Sequence, residues 1–283
     1  AMKLEVFNVE HGACALLTYD NGERIMIDCG HNASTGWRPG DHLRRLGVLS
    51  LRALFVTNFD EDHVSGFGNL IDNVHVVTIF RNATVRAATI KQLKSKDGMG
   101  PGIDRLVGVL SDWERNPAVG ASSLGLPGNV VIRTFWNDYP TFDDENNLSM
   151  MVELEINGTS FVFTGDLETA GWQQLVRRAD VRAALARAQV YFASHHGRAS
   201  GCCDEVFNHC KPRFIVISDK AKGFQTQETH AYYHARAEGG NVIGCEDKRF
   251  VLTTRSDGDI TFEIMANGTY YVSTSWSSTK KTA

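Results

Sequence analysis

The 283-residue sequence predicts an α/β fold in four layers, an αββα sandwich with two sheets inside and helices outside each. Three observations carry this. The order strand, hairpin, helix occurs twice, about once per half, which fits two packed sheets better than alternating βαβ units. Each half has a tight-turn signal between apolar runs, Asp20-Asn21-Gly22-Glu23 in one and Asn157-Gly158 in the other. Apolar residues make up 42% of the chain, enough for one large core.

The elements follow in order. KLEVFNV, ACALLTY and RIMIDCG read as strands, with a turn at Glu10-His11-Gly12 and a hairpin between the second and third. GDHLRRLGV reads as a short helix with Asp41 as N-cap. LRALFVT is a buried strand, VSGFGNLIDN begins a helix, and HVVTIFRN is a strand. Residues 83–129 differ: two helical patterns flank a Gly/Pro/Ser-rich loop with no clear strand, which reads as a lid-like insertion. VVIRTFWN, LSMMVELEIN and TSFVFTGDLE are strands, the last two forming the second hairpin. AGWQQLVRRADVRAALARAQV has helical spacing, and VYFASHHG is a strand entering a loop. RFIVISDK is a strand and QETHAYYHARAEG holds a helix. NVIGC, RFVLTTRSDGDITFEIM and TYYVSTS supply the closing strands. The expectation is one domain over residues 2–275, with a disordered tail at 276–283.

Bulk chemistry narrows the class. The net charge of −4 argues against a protein whose main task is to coat nucleic acid, though not against a local basic groove. Six cysteines without a CxxC pair predict reduced thiols and a cytoplasmic location. No run of about 18 apolar residues is present, so no membrane span is expected. AMKLEVFNVEHG has no apolar signal-peptide core, and Ala1 before Met2 looks like a tag remnant.

The chemistry concentrates at three strand ends. Asp60-Glu61-Asp62-His63 follows LRALFVT, Asp166 follows TSFVF, and His195-His196 follows VYFAS. Loops at strand ends bend side chains inward from a rigid frame. Each element alone has an ordinary explanation. An acidic residue after a strand is often a helix cap. A lone Asp is commonly a turn residue, and a His pair a polar loop. Together they offer carboxylates and imidazoles with no cysteine, a set suited to Zn, Mn or Fe with room for a water. A divalent ion lowers the pKa of its water and supplies hydroxide at neutral pH, which is hydrolytic chemistry.

TNFDEDHVSG, FVFTGDLE and SHHG, in that order, resemble the metallo-β-lactamase fold. Within it the sequence is similar to the hydrolase domain of ComEC-type DNA-uptake proteins and their stand-alone relatives. VFNVEHGACALLTYDNGERIMIDCG, LSMMVELEINGTSFVFTGD, KPRFIVISDK and TTRSDGDITFEI extend the likeness over Leu4 to about Ile264, apart from 83–129. In the general fold an HxHxDH motif leads. Its two first His and a later His hold one metal, its Asp-His end and a distal His hold a second, and the Asp of the GD motif bridges them. The resemblance implies that Asp62 and His63 are second-site ligands, Asp166 the bridge, and one of His195 and His196 the distal His. It places Asn58 and Asp60 at the first two His positions and Asn147 near the third. An amide oxygen is a weak ligand, so one well-bound divalent ion, Zn or Mn, is expected.

The expected activity is metal-dependent hydrolysis of a phosphodiester, in a nucleic acid or nucleotide, by a metal-bound hydroxide. Asp60, Asp62 and His196 are the expected catalytic groups, with Asp60 orienting the water or holding a weak second ion. Asn147, Lys220, His230 and His11 are candidate substrate contacts. The alternative is a degenerate member that binds a nucleotide, nucleic acid or protein partner without turnover.

Overall fold

In the computed structural model, residues 1–115, 125–126, 128–220 and 228–276 are described. The first half of the chain builds β1 (Met2–Val6), β2 (Cys14–Thr18), β3 (Arg24–Cys29), α1 (Pro39–Arg45), β4 (Ser50–Leu51), β5 (Ala53–Phe55), α2 (Glu61–Val64), α3 (Phe67–Asn73), β6 (His75–Val76), β7 (Ile79–Phe80), α4 (Ala87–Leu93) and α5 (Pro101–Arg115). The second half builds β8 (Val130–Phe135), β9 (Met151–Ile156), β10 (Thr159–Phe163), α6 (Thr169–Leu175), α7 (Ala179–Arg187), β11 (Ala188–Phe192), α8 (Asp204–Phe207), β12 (Phe214–Ile217), α9 (His230–His234), β13 (Val251–Thr253), α10 (Thr254–Asp257), β14 (Ile260–Ile264) and β15 (Tyr270–Thr274).

Seven strands form one sheet in the order β15-β14-β1-β2-β3-β5-β7, and six form the other in the order β13-β12-β11-β10-β9-β8. The layering follows from the apolar runs. In β2, Leu17 points into the core between the sheets and Leu16 into the core under the first helical layer. In β10, Phe161 and Phe163 face the other sheet while Val162 faces the second helical layer. A strand covered on both faces needs apolar residues at every position, so these read as continuous runs rather than alternating ones. Leu43 of α1, Phe67 of α3 and Leu106 of α5 cover the first sheet. Trp172 of α6, Leu185 of α7 and Tyr233 of α9 cover the second. This is the four-layer sandwich expected from the sequence.

Both hairpins form where the turn residues place them. Asn157 and Gly158 sit at φ of 51° and 83°, and Ile156 pairs with Thr159. Positive φ at both central residues is what a two-residue hairpin needs to match strand twist.

Several local expectations are corrected. Asp41 is not the N-cap of α1; Arg38 holds that position and Pro39 opens the helix, because proline's fixed φ suits the first turn. The run Leu51–Thr57 is broken between β4 and β5, and 75–82 is split between β6 and β7, where the chain changes pairing partner. The long helical pattern at 170–190 is two helices, and its last three residues belong to β11. Tertiary pairing overrides helical periodicity there. NVIGC forms no strand. Within 83–129, α4 and α5 pack against each other and α5 packs on α2 and α3; residues 116–124 and 127 of that span lie outside the described residues. Of the expected tail, 277–283 also lie outside them.

The topology fixes where loops meet. β3 runs parallel to β5, and β10, β11 and β12 run parallel to one another. The C-terminal ends of each parallel group therefore share one edge of their sheet. The acidic loop follows β5, Asp166 follows β10, the His pair follows β11, and Ser218 follows β12.

Candidate metal centre

The crowded Asp60-Glu61-Asp62-His63 stretch separates into three tasks. Asp60 Oδ1 accepts from the Lys94 ammonium. Glu61 turns away, and its carboxylate accepts the backbone N–H groups of Gly102 (2.7 Å) and Ile103 (3.0 Å) in the first turn of α5. Those are donors that the helix leaves unsatisfied, and the negative charge suits the positive end of its dipole. Only Asp62 and His63 turn toward the cleft. The loop is seated from behind: a Cβ on Gly12 would lie 2.4 Å from the Asp62 carbonyl oxygen, and one on Gly30 2.5 Å from it. Glycine is required at both positions by this close approach.

Asp62, His63, Asp166 and His196 bring one ligand atom each to within 4.8 Å of one another. His63 and Asp166 are buried, with side-chain exposures of 2% and 3%, and Asp62 is the open member at 33%. His63 Nδ1 lies 2.8 Å from Asp28 Oδ2 and its Nε2 lies 2.9 Å from Asp166 Oδ1. A neutral imidazole has one N–H and cannot donate to two carboxylates. The ring therefore carries a second proton or shares its Nε2 side with a cation. Burial works against that second proton, but the Asp166 and Asp28 charges outweigh it and hold the His63 pKa well above its ordinary value.

His196 repeats the theme. Its Nδ1 donates to the Ser218 carbonyl at 2.9 Å, which leaves Nε2 as the lone-pair nitrogen when the ring is neutral. That Nε2 is buried without a hydrogen bond, while Asp62 Oδ2 and Asp166 Oδ1 stand 3.3 and 3.4 Å away. Burial would lower its pKa, and Asp166 and Asp62 raise it overall. Burial likewise opposes ionisation of Asp166 and Asp62. Asp166 is nevertheless held well below the usual carboxylate range, chiefly by His63 and His196, and Asp62 is lowered through its contact with His196. An orphaned imidazole nitrogen among carboxylate oxygens is a donor set that a divalent cation fits.

The backbone pays conformational strain to present this pair: His195 and His196 both have φ of 51°. Left-handed non-glycine residues in succession are uncommon, and such strain gathers at functional sites. The His195 N–H bonds the Gly165 carbonyl at 3.1 Å, which ties the His loop to the Asp166 loop. His195 itself points to the other side of Asp166, with Nε2 4.0 Å from Oδ2, and its Nδ1 lies 3.0 Å from Ser200 Oγ and 3.2 Å from Glu168 Oε1.

The remaining candidates are placed as follows. His11 lies against His196 with the rings tilted and their centroids 4.8 Å apart, and its Nε2 accepts from Arg198 at 2.8 Å. Burial first, then the positive His196 and Arg198, push its pKa down to about 4, so the ring is neutral. Asn147 serves the scaffold: its Oδ1 accepts from Glu168 N at 3.2 Å and Gly171 N at 2.9 Å, and its Nδ2 donates to Asp144. Asn58 is similarly engaged, donating to the Glu145 carbonyl at 3.1 Å and Ser149 Oγ at 2.9 Å and accepting from Asp60 N at 2.6 Å. Lys220 is exposed, two residues beyond Ser218, and His230 is exposed at the start of α9. Neither joins the four-residue cluster.

Sequence reading missed Asp28, Lys94, Glu145 and Arg198. Asp28 had a legible signal, a carboxylate within the apolar strand RIMIDCG ahead of a glycine. The Lys94 Nζ also bonds Glu145 Oε1 at 2.8 Å, and the side chain is 7% exposed. Burial disfavours its charge, yet its hydrogen bonds with Asp60 and Glu145 raise the pKa overall.

Two packed sheets with a carboxylate–imidazole cluster across their shared edge define a metal-binding hydrolase fold. The chain belongs to the metallo-beta-lactamase superfamily, whose family model matches residues 8–198 and whose members are typically metal-dependent hydrolases. It is 22% identical over 254 residues to ComE operon protein 3 of Bacillus subtilis (strain 168), covering 84% of this chain and 30% of that protein. It is 26% identical over 161 residues to the anti-Pycsar protein Apyc1 of Bacillus phage BSP38, covering 53% of this chain and 59% of that one. The matches thus span about a third and three-fifths of those relatives. Among solved structures, the CmlA beta-hydroxylase E377D mutant superposes with a TM-score of 0.51 at 12% identity, over 93% of this chain and 54% of that one. That likeness is one of fold. Among the described residues no helix is long and apolar enough to cross a membrane.

Proposed function

We propose that this protein is a metal-dependent phosphodiester hydrolase that works with one divalent ion, Zn or Mn, held by Asp62, His63, Asp166 and His196. The observation that carries the reading is the convergence of four ligand atoms within 4.8 Å around an orphaned His196 Nε2. A divalent ion bound there supplies Lewis acidity and an acidified water. The protein's own groups do the rest. Asp28 and the Ser218 carbonyl fix the two imidazoles so that each turns Nε2 inward. Asp62, the least buried of the four, is taken as the side from which substrate enters. Arg198, supported by the neutral His11, offers planar donors to a phosphate. His195, between Glu168 and Asp166, is the group placed to give a proton to the departing oxygen. Arg198 and the ion together favour an anionic substrate. Lys220 and His230, both exposed, are proposed as outer substrate contacts. The six free thiols support a reducing, cytoplasmic setting.

The test uses bis(p-nitrophenyl) phosphate as a phosphodiester probe, with metal analysis on the same sample. Hydrolysis that is lost with chelator, restored by Mn or Zn and absent in Asp166→Asn is expected. A metal-loaded protein with no turnover on this probe or on a nucleic acid favours the binding-only alternative. A protein that retains no metal overturns both the ligand assignment and the mechanism.

A further inference from the structure

Beside the four-residue cluster lies a second group of metal-type side chains, Asp60, Glu145, Asn58 and Asn147, and it is already occupied. Both amides spend their oxygens on backbone N–H groups: Asn58 Oδ1 on Asp60, and Asn147 Oδ1 on Glu168 and Gly171. Neither is turned as a ligand toward an ion. The two carboxylates, Asp60 and Glu145, converge on one ammonium, that of Lys94. Its side chain is 7% exposed, so the charge is built into the structure rather than resting on its surface. Asp60 lies two residues before Asp62 in the same loop, and it interacts electrostatically with Asp62 and Asp166, so the carboxylate that Lys94 bonds adjoins the cluster.

We propose that the Lys94 ammonium is the built-in second cation of this centre, filling with one fixed positive charge the place beside the cluster that a second divalent ion would need. The inference rests on the metal-centre reading above and adds to it. An ion entering there would find its two anionic donors taken and a like charge bonded to the same oxygens. A covalently tethered cation cannot be lost to chelation or exchanged, so this half of the site stays charged whatever the metal supply. Lys94 follows directly after α4, so the segment that carries α4 delivers a working part of the centre.

Native mass spectrometry and chelator-competition titration of the full chain with Mn²⁺, then Zn²⁺, test this. Wild type is expected to take one ion per chain. Lys94→Ala and the near-isosteric Lys94→Met are expected to take a second, more weakly bound ion, because Asp60 and Glu145 then lack a partner. Adding Asp60→Asn to either variant should remove that ion. Lys94→Arg, which keeps the charge, should stay at one. A wild-type protein with two ions overturns the proposal, as does a single ion in folded Lys94→Ala and Lys94→Met. No ion in the wild type overturns the metal-centre reading itself, which separates the two failures.

Discussion

The loop from Asn58 to His63 has two ends that fold to opposite purposes. At its far end, Asp62 and His63 leave ligand atoms turned toward Asp166 and His196, with one imidazole nitrogen buried and unbonded. At its near end, Asn58 spends its amide on Asp60 N, Ser149 and the Glu145 carbonyl, and Asp60 is closed by Lys94. The near end is closed by its own hydrogen bonds, whereas the far end faces a cluster in which His196 Nε2 has no hydrogen bond. Buried polar groups are normally paired, so the one buried nitrogen of the cluster left without a hydrogen bond, His196 Nε2, points to a ligand and the bonded near end to structure. A site read from residue types alone cannot tell these apart; the hydrogen-bond census can.

The largest expected separation of the two ends comes from Asp28. It holds His63 Nδ1 at 2.8 Å and Thr57 N at 2.7 Å, behind the ring whose Nε2 faces Asp166. Asp28→Asn should lower metal affinity roughly 10–100-fold, the usual effect of losing a carboxylate behind a ligating His. Competition with a chelator at fixed pH measures it. An unchanged affinity would mean that His63 needs no such support and is not a ligand.

Proton release sharpens the same contrast. His63 and His196 have raised pKa values in the metal-free protein, owing to the carboxylates that overcome their burial. A raised folded pKa gives stability that is fully present below the unfolded value of about 6.5 and lost as pH rises through the folded one. Asp62 and Asp166 have the opposite sign: their contribution is present above about 3.9 and lost as pH falls through their depressed values. Metal must displace the imidazolium protons, so apparent affinity should rise with pH, about tenfold per pH unit for each proton released. Titration calorimetry in buffers of different ionisation enthalpy counts those protons. Thermal melts with and without Mn should show metal stabilisation growing from about pH 6 to 8.

Much of this was legible in the sequence for physical reasons. Strands covered on both faces must be apolar throughout, and tight hairpins need Asn-Gly type turns, so β2, β3, β9 and β10 announced themselves. Asp62, His63 and Asp166 stood out because charged residues directly after apolar strands need an explanation. The choice between His195 and His196 was not readable, since facing in a left-handed pair depends on the carbonyl of Ser218, far along the chain. Lys94 was hidden for a different reason. One of three lysines in KQLKSKDG, at the end of a short helix, looks like a solvated side chain, and only the tertiary fold buries it against Asp60 and Glu145.

The smallest effect is expected at the closed end, and it is the more discriminating for that. Asn58→His restores an imidazole to the position where the general fold carries its first His. If residue type alone made the site, a second ion would now bind. The geometry argues otherwise. The amide oxygen accepts from Asp60 N at 2.6 Å and the amide nitrogen donates in two directions, and one imidazole cannot reproduce all three bonds. Leaving such buried groups unsatisfied costs on the order of 1–3 kcal/mol each, partly recovered by relaxation. The expected outcome is a lowered melting temperature, about 1–2 kcal/mol of lost stability, and no gain in metal, because Lys94 still neutralises Asp60. A second ion bound tightly by Asn58→His with Lys94 intact would show that the near end is open, and that the contrast between the two ends lies in one side chain rather than in the network around it.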